Sequence, residues 1–163
     1  MANEPGEEVG VREAMAKYPA ARENLLDILH ELQRVEPRRF LSEEALRATA
    51  EYLRMPLAEV MDAASFYSMY SFKPRGRHVI RVCVSPPCRL FGGEALLGAL
   101  EKRLEIGVGE TTADGAFTLE TSSCLGACGN PPAMMVDDEL VVDVTEAKAA
   151  QVLDRVRRDD GAR

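Results

Sequence analysis

The chain has 163 residues, of which 46% are hydrophobic and 29% charged, enough for one ordinary domain or for a helical module followed by a small α/β module. Its formal net charge of −7 argues against a nucleic-acid partner, because broad nucleic-acid-binding surfaces are basic. No apolar run is long enough to span a bilayer and no basic-then-apolar leader is present, so the sequence predicts a soluble, cytoplasmic protein without membrane insertion.

Four amphipathic helices are predicted in the first part of the chain. The first ends before Pro19, which can itself open the second, and Pro37 ends the second. Ser42 can cap a third helix through its hydroxyl, and Pro56 starts a fourth. The residues predicted to face inward recur at helical spacing and are Leu25, Leu29, Leu32, Val35, Leu46, Thr49, Ala50, Leu53, Leu57, Val60, Met61 and Ala64.

A boundary between two modules is predicted after these helices. The run Phe66-Tyr67-Ser68-Met69-Tyr70 is dense in aromatic and methionine side chains, which favours core between the modules over an exposed partner-binding patch. Segment 73–77 contains proline and glycine, which break regular structure, and charges that favour solvent. We therefore interpret 1–72 as a helical module, 73–77 as a linker and 78–163 as a second module.

The second module has a mixed pattern of strands and helices. Apolar residues begin to alternate at His78, which indicates a strand, and a helix is predicted over 94–104. Asp114-Gly115 marks a turn before a second strand, and two short strands flank 137–138. Thr145 caps a closing helix. The order β-α-β-β-β-α predicts a small open sheet with helices packed on it.

Two cysteine pairs follow the first two strands: Cys83 and Cys88 as C-x4-C, and Cys124 and Cys128 as C-x3-C. Four thiolates from two loops suit a soft tetrahedral metal or an iron–sulfur cluster. Structural zinc usually takes cysteines in C-x2-C turns, whereas a 2Fe-2S cluster spreads its ligands over two irons and tolerates wider loops. The spacing favours a 2Fe-2S cluster and leaves open zinc, disulfides or plain core cysteines.

Motifs for catalysis are absent from the sequence. There is no G-x-G-x-x-G, no Walker loop and no paired acid/base constellation, so the sequence shows no nucleotide site and no complete active site. A thiol–disulfide enzyme would need C-x-x-C, a spacing that the sequence lacks. An electron carrier and a zinc-stabilised interaction module are the two functions that the cysteines leave in competition.

Five segments spread over nearly the whole chain carry a resemblance to a known family. They are Leu29-His30-Glu31-Leu32-Gln33, Phe66-Tyr67-Ser68-Met69-Tyr70, the run from Gly76 to Cys83, the run from Thr112 to Glu120, and Cys124-Leu125-Gly126-Ala127-Cys128. On these residues the chain resembles the small iron–sulfur subunit of NADH-quinone oxidoreductase, respiratory complex I, and its relatives in NAD-linked hydrogenases and formate dehydrogenases.

The resemblance implies an α+β fold, with a four-helix N-terminal module followed by a thioredoxin-like α/β 2Fe-2S ferredoxin domain. It implies one 2Fe-2S cluster held by Cys83, Cys88, Cys124 and Cys128. It also implies electron transfer in an NAD(H)-linked multisubunit oxidoreductase, beside a flavoprotein subunit that binds FMN and NAD(H) and a larger iron–sulfur subunit. Chemistry on NAD would then belong to the flavoprotein, and this chain would carry single electrons.

Three prolines near the cysteines carry predictions of their own. Pro86 and Pro87 have no N–H, so two backbone donors that could stabilise the sulfurs of a reduced cluster are missing. We therefore predict a lower reduction potential than a loop of ordinary residues would give. Pro132, shortly after the last cysteine, is predicted to follow a cis peptide bond, as prolines beside the active loop of thioredoxin folds often do.

Overall fold

The computed structural model describes the backbone of residues 5–161 and the side chains of residues 10–161. The chain divides into two compact units, and the boundary between them lies between Pro74 and Arg75. This boundary falls inside segment 73–77, which the sequence suggests as a linker. The outer ends of the two predicted modules, 1–4 and 162–163, lie outside the described residues.

The first unit is helical throughout its described elements. It contains α1 (Pro5–Ala16), a single 3-10 turn (Arg22–Asn24), α2 (Leu25–Val35), α3 (Glu43–Leu53) and α4 (Leu57–Phe66). The apolar faces of these helices meet in one core, which removes apolar surface from water. Its larger buried members are Met15, Leu25, Ile28, Leu29, Leu32, Leu41, Leu46, Leu53, Val60 and Tyr70.

Two of the predicted helix starts are confirmed. The hydroxyl of Ser42 accepts a hydrogen bond from the backbone amide of Ala45 at 3.1 Å, so Ser42 caps α3. Pro56 is the residue directly before α4, where its fixed φ suits the start of a helix. Both starts depend on local backbone chemistry that a sequence shows directly.

The predicted start of the second helix at Pro19 is wrong. The chain turns after this proline, because the backbone amide of Ala21 and the side-chain amide of Asn24 both donate to the Pro19 carbonyl, at 2.8 and 2.9 Å. The 3-10 turn then leads into α2, which begins only at Leu25.

The aromatic segment 66–70 is mostly exposed. Phe66 is 81% exposed and Met69 is 46% exposed, so the prediction that this segment forms core is wrong for these side chains. Tyr70 is buried, and its hydroxyl donates to the carbonyl of Leu26 at 2.9 Å. Because α4 ends at Phe66, the helical period that would turn apolar residues inward stops there.

The second unit is built on a mixed sheet. Its described strands are β1 (His78–Cys83), β2 (Phe117–Ser122), β3 (Met134–Val136) and β4 (Glu139–Val141), in the order β2-β1-β3-β4. Strands β1 and β2 are parallel, and β3 is antiparallel to β1 and β4. Helices α5 (Pro86–Leu90) and α6 (Gly93–Leu104) connect β1 to β2, and α7 (Glu146–Gly161) follows β4.

Alternating strand residues and the inner faces of α6 and α7 form the core of this unit. Parallel β1 and β2 require a crossover connection, which α5 and α6 supply. The buried residues of the core include Ile80, Val82, Leu96, Leu100, Leu104, Phe117, Leu119, Met134, Val136, Ala149 and Leu153. None of the helices within residues 5–161 is both long and apolar enough to cross a membrane.

The first residues of the second unit are buried. Arg75 is 4% exposed and its Nε lies 2.6 Å from a carboxylate oxygen of Glu120 in β2, which also pairs with Arg81 at 3.2 Å. A Cβ at Gly76 would lie 2.8 Å from a backbone carbon of Phe117, so glycine is required there. The expectation of a solvated linker is therefore wrong for Arg75 and Gly76.

His78, the first residue of β1, lies between two carboxylates. Its Nδ1 is 2.7 Å from Asp137, beside the β3–β4 turn, and its Nε2 is 3.0 Å from Asp160 in α7, an ion pair without hydrogen-bond alignment. The hydrogen bond to Asp137 is the main cause that raises the pKa of His78; burial opposes it and Asp160 adds to it. The protonated ring therefore links three elements of the unit.

Replacing His78 by glutamine is expected to destabilise the protein more at low pH than at high pH. Because the folded pKa lies above the ordinary value of 6.5, the bound proton stabilises the fold fully below that pH. This contribution is lost as the pH rises through the folded pKa. Chemical denaturation of both proteins over a pH series measures the effect, and a difference in unfolding free energy that does not shrink with rising pH would contradict it.

Candidate metal centre

The four cysteines lie at one edge of the sheet of the second unit. Cys83 is the last residue of β1, Cys88 lies in α5, and Cys124 and Cys128 lie in the loop after β2. Cys83 stands opposite Ser122, the last residue of β2. Because parallel strands that end in register deliver their following loops to the same edge, both cysteine loops emerge there.

The first cysteine pair is buried and is supported by hydrogen bonds. Cys83 and Cys88 are 2% and 1% exposed and pack with Ala133. Burial acts to raise the pKa of the Cys83 thiol, but the Ser85 hydroxyl at 3.2 Å and the backbone amides of Ser85 and Leu125 outweigh it, so that pKa is lowered. A thiolate at Cys83, the form that binds metal, is therefore favoured by its surroundings.

The second cysteine pair is exposed and its sulfurs are close together. The Sγ atoms of Cys124 and Cys128 are 3.9 Å apart. Two sulfur ligands of one tetrahedral ion, with bonds of about 2.3 Å, lie roughly 3.8 Å apart. The amide of Gly126 donates to Cys124 Sγ at 3.3 Å, and its φ of 76° lets the loop fold back. This pair therefore has the spacing of two ligands on one metal ion.

The two pairs influence each other across the loops. A hydrogen bond and the charge of Cys124 raise the pKa of Cys128, and the charges of Cys88 and Cys83 add to the effect. The Leu125 amide, from the second loop, donates to Cys83 of the first. Because gathered thiolates repel one another, full deprotonation needs a bound cation to offset their charge.

The donor set fits a 2Fe-2S cluster. Its thiols form two pairs, one buried and one exposed, and such a cluster takes two ligands on each iron. Over the described residues, no group of three or more His, Cys, Asp and Glu side chains is arranged to hold a metal ion.

The end of the second loop is anchored by the backbone. The peptide bond between Pro131 and Pro132 is cis, which confirms the prediction made for Pro132. The carbonyl of Asn130 accepts a hydrogen bond from the amide of Asp143, and the carbonyl of Pro132 accepts one from Val144, both at 3.0 Å. These bonds tie the loop to the segment that leads into α7.

The short helix α5 inside the first cysteine loop is the element that sequence reasoning missed. Pro86 and Pro87 occupy its first turn, a placement that proline favours, and Ser85 precedes them. Serine followed by proline is a helix-start signal that could have revealed it. The Ser85 hydroxyl makes no capping bond, because it contacts the sulfur of Cys83 instead.

Substituting alanine for Pro86 or Pro87 is expected to raise the reduction potential of the bound cluster. Each proline removes an amide N–H from the first turn of α5, next to the cysteine sulfurs, and alanine restores it. Redox titration followed by electron paramagnetic resonance measures the shift, with Pro74→Ala in the first unit as control. An unchanged or lowered potential in the loop variants would contradict the prediction.

Comparison with known proteins identifies the family. The thioredoxin-like [2Fe-2S] ferredoxin family model matches residues 11–157, which include all four cysteines. The chain belongs to this family. Membership confirms the thioredoxin-like fold expected for the second module, and a 2Fe-2S cluster is the cofactor from which the family takes its description.

Curated relatives of this thioredoxin-like [2Fe-2S] ferredoxin belong to one respiratory enzyme. One component of the NADH-quinone oxidoreductase of Pseudomonas aeruginosa is 38% identical over 148 residues, which cover 91% of this chain and 88% of that protein. The component of the same name in Mycobacterium tuberculosis is 36% identical over 152 residues, which cover 93% of this chain and 60% of that protein. The chain therefore spans about 60% of the length of the mycobacterial relatives.

Solved structures share the fold. The NAD+-reducing [NiFe]-hydrogenase in its H2-reduced state matches with a TM-score of 0.72 and 23% identity, covering 85% of this chain and 23% of that chain. The same hydrogenase in its air-oxidised state matches with a TM-score of 0.71 and 22% identity, covering 83% and 23%. At these identities the likeness establishes the fold of this thioredoxin-like [2Fe-2S] ferredoxin alone.

Proposed function

We propose that this chain is an electron-transfer subunit of an NAD(H)-linked multisubunit oxidoreductase. The observation that carries the proposal is the gathering of two cysteine pairs at one sheet edge, in a chain that belongs to a 2Fe-2S family. Support comes from relatives that are subunits of NADH-quinone oxidoreductase and from the fold shared with an NAD+-reducing hydrogenase.

The four cysteines are the proposed ligands. Cys83 and Cys88 would hold one iron, and Cys124 and Cys128 the other. When bound, a 2Fe-2S cluster accepts and releases one electron at a time. The chain's own donors, which are the Ser85 hydroxyl and the backbone amides of Ser85, Leu125 and Gly126, point at the sulfurs and offset negative charge there.

Burial divides the proposed ligands into two roles. The first pair is shielded from water, which keeps that side of the site in a low dielectric. Cys124 and Cys128 are exposed, so they form the edge at which another redox group can approach. The geometry thus suits a carrier that exchanges electrons with a docked protein.

The proposed partners are a flavoprotein subunit that binds FMN and NAD(H), and a larger iron–sulfur subunit. The parent complex would be of the complex I type, or an NAD-linked hydrogenase or formate dehydrogenase, with this chain on the cytoplasmic side. The sequence lacks a nucleotide-binding motif, which is consistent with the chemistry on NAD(H) taking place on another subunit.

Anaerobic purification tests the proposal. We expect a red-brown protein with iron and acid-labile sulfide, and an electron paramagnetic resonance signal after reduction that is typical of a 2Fe-2S cluster. We also expect a flavin-containing subunit to copurify from cells that express the native complex. A colourless protein that binds zinc and shows no redox signal would instead support an interaction module stabilised by zinc.

A further inference from the structure

The turn between α5 and α6 carries two large apolar side chains that face solvent. Leu90 is 84% exposed and Phe91 is 66% exposed, and they follow Cys88 after a single residue. Isolated exposed apolar residues are common, but adjacent large ones beside a functional site are typical of contact surfaces.

This turn is fixed against the first cysteine loop. A Cβ at Gly93 would lie 2.7 Å from the carbonyl oxygen of Cys88, so the backbone of the turn touches the backbone of the cysteine loop. The amide of Phe91 donates to the carbonyl of Pro87 at 3.1 Å, and Gly92 reverses the chain with a φ of 96°. The backbone therefore holds Leu90 and Phe91 at a defined place next to the site.

The two cysteine loops are also unusually poor in charge. Segments 82–88 and 121–136 contain no Asp, Glu, Lys or Arg, although 29% of the chain is charged. Arg89, which lies between Cys88 and Leu90, is paired with Glu94, its Nε 2.9 Å from the carboxylate. The cores of protein interfaces are depleted in charge and enriched in aromatic side chains. This face therefore fits a partner surface that is itself apolar and uncharged.

We propose that Leu90, Phe91 and the exposed second cysteine loop (124–130) form the docking surface for the flavoprotein subunit. The proposal rests on the function proposed above, because electrons can reach the site at close range only over its exposed cysteines. A second copy of this chain would bring two identical one-electron sites together and supply no source of electrons. A flavin partner supplies one, because flavins accept hydride from NADH and can release electrons singly.

The test uses the whole complex, purified anaerobically through an affinity tag on this chain. Wild type is compared with the Leu90→Ser/Phe91→Ser double variant and with Val108→Ser, which changes a 45% exposed apolar residue between α6 and β2. We expect the double variant to retain iron and the electron paramagnetic resonance signal but to bind the flavoprotein at least about tenfold more weakly, as loss of an aromatic anchor does. FMN per tagged chain reports binding, and Val108→Ser should match wild type.

Four results would overturn the docking surface. Wild-type FMN in the double variant would show that the two side chains do not contact the flavoprotein. Loss of iron together with FMN would make them part of the fold of the site. Retention of FMN with loss of a second copy of this chain would assign the face to self-association. A wild-type preparation without any flavoprotein would overturn the proposed function as well, which separates the two failures.

Discussion

Replacement of Cys88 by alanine is expected to abolish the iron–sulfur centre, the largest effect on function that we predict. Cys88 is 1% exposed and belongs to the buried pair, so no water can replace its sulfur without rearrangement. Loss of a residue that merely supports a ligand typically lowers metal affinity about 10- to 100-fold, and loss of a ligand should exceed that. Iron per chain should therefore fall by more than about tenfold in anaerobic preparations.

The matched control for this experiment is Ser123→Ala, next to the exposed pair. Ser123 is exposed and directly precedes Cys124, so its variant tests whether any change in the loops disturbs the site. It should keep the iron, the sulfide and the resonance signal. Wild-type iron in Cys88→Ala, or loss of iron from Ser123→Ala alone, would contradict the proposed ligand set.

The largest effect on stability is expected for Phe117→Ala. Phe117 is fully buried at the start of β2, the ring of His78 lies 5.7 Å away, and the guanidinium of Arg157 lies 5.3 Å from its ring centroid. Truncating a buried phenylalanine removes its transfer free energy and leaves a cavity, at a cost of about 3–5 kcal/mol. Because domains are stable by only about 5–15 kcal/mol, this is a large part of the total.

Chemical denaturation measures this change in unfolding free energy. Leu140→Ala is the control, because Leu140 is 43% exposed on β4 and its truncation creates no buried cavity. The control should lose well under half of what Phe117→Ala loses. Equal losses in the two variants would show that the core of the second unit does not depend on the Phe117 ring.

Much of the secondary structure could be predicted because its signals are local. The strand start at His78 follows from the change to alternating apolar residues, and the cap of α3 follows from a serine before two glutamates. The start of α2 was misplaced, because Asn24 bonds back to Pro19 in a contact that periodicity does not report. The helix α5 was missed because proline reads first as a breaker.

Burial was the less predictable property. Arg75, in a segment that reads as a solvated linker, is buried by its ion pair with Glu120, which lies 45 positions further along the chain. Phe66 reads as core and is 81% exposed. Both outcomes depend on which distant residues come into contact, and the composition of a short segment does not carry that information.

The amino-acid sequence alone was sufficient to identify the four cysteines as the centre of the protein and to favour a 2Fe-2S site, because ligand type and spacing are properties of the chain itself. Only the tertiary structure decided that the first pair is buried and the second exposed, and that Leu90 and Phe91 stand in solvent beside them. The reason is that the parallel register of β1 and β2, a long-range pairing, sets which edge the loops share and which side of it meets water.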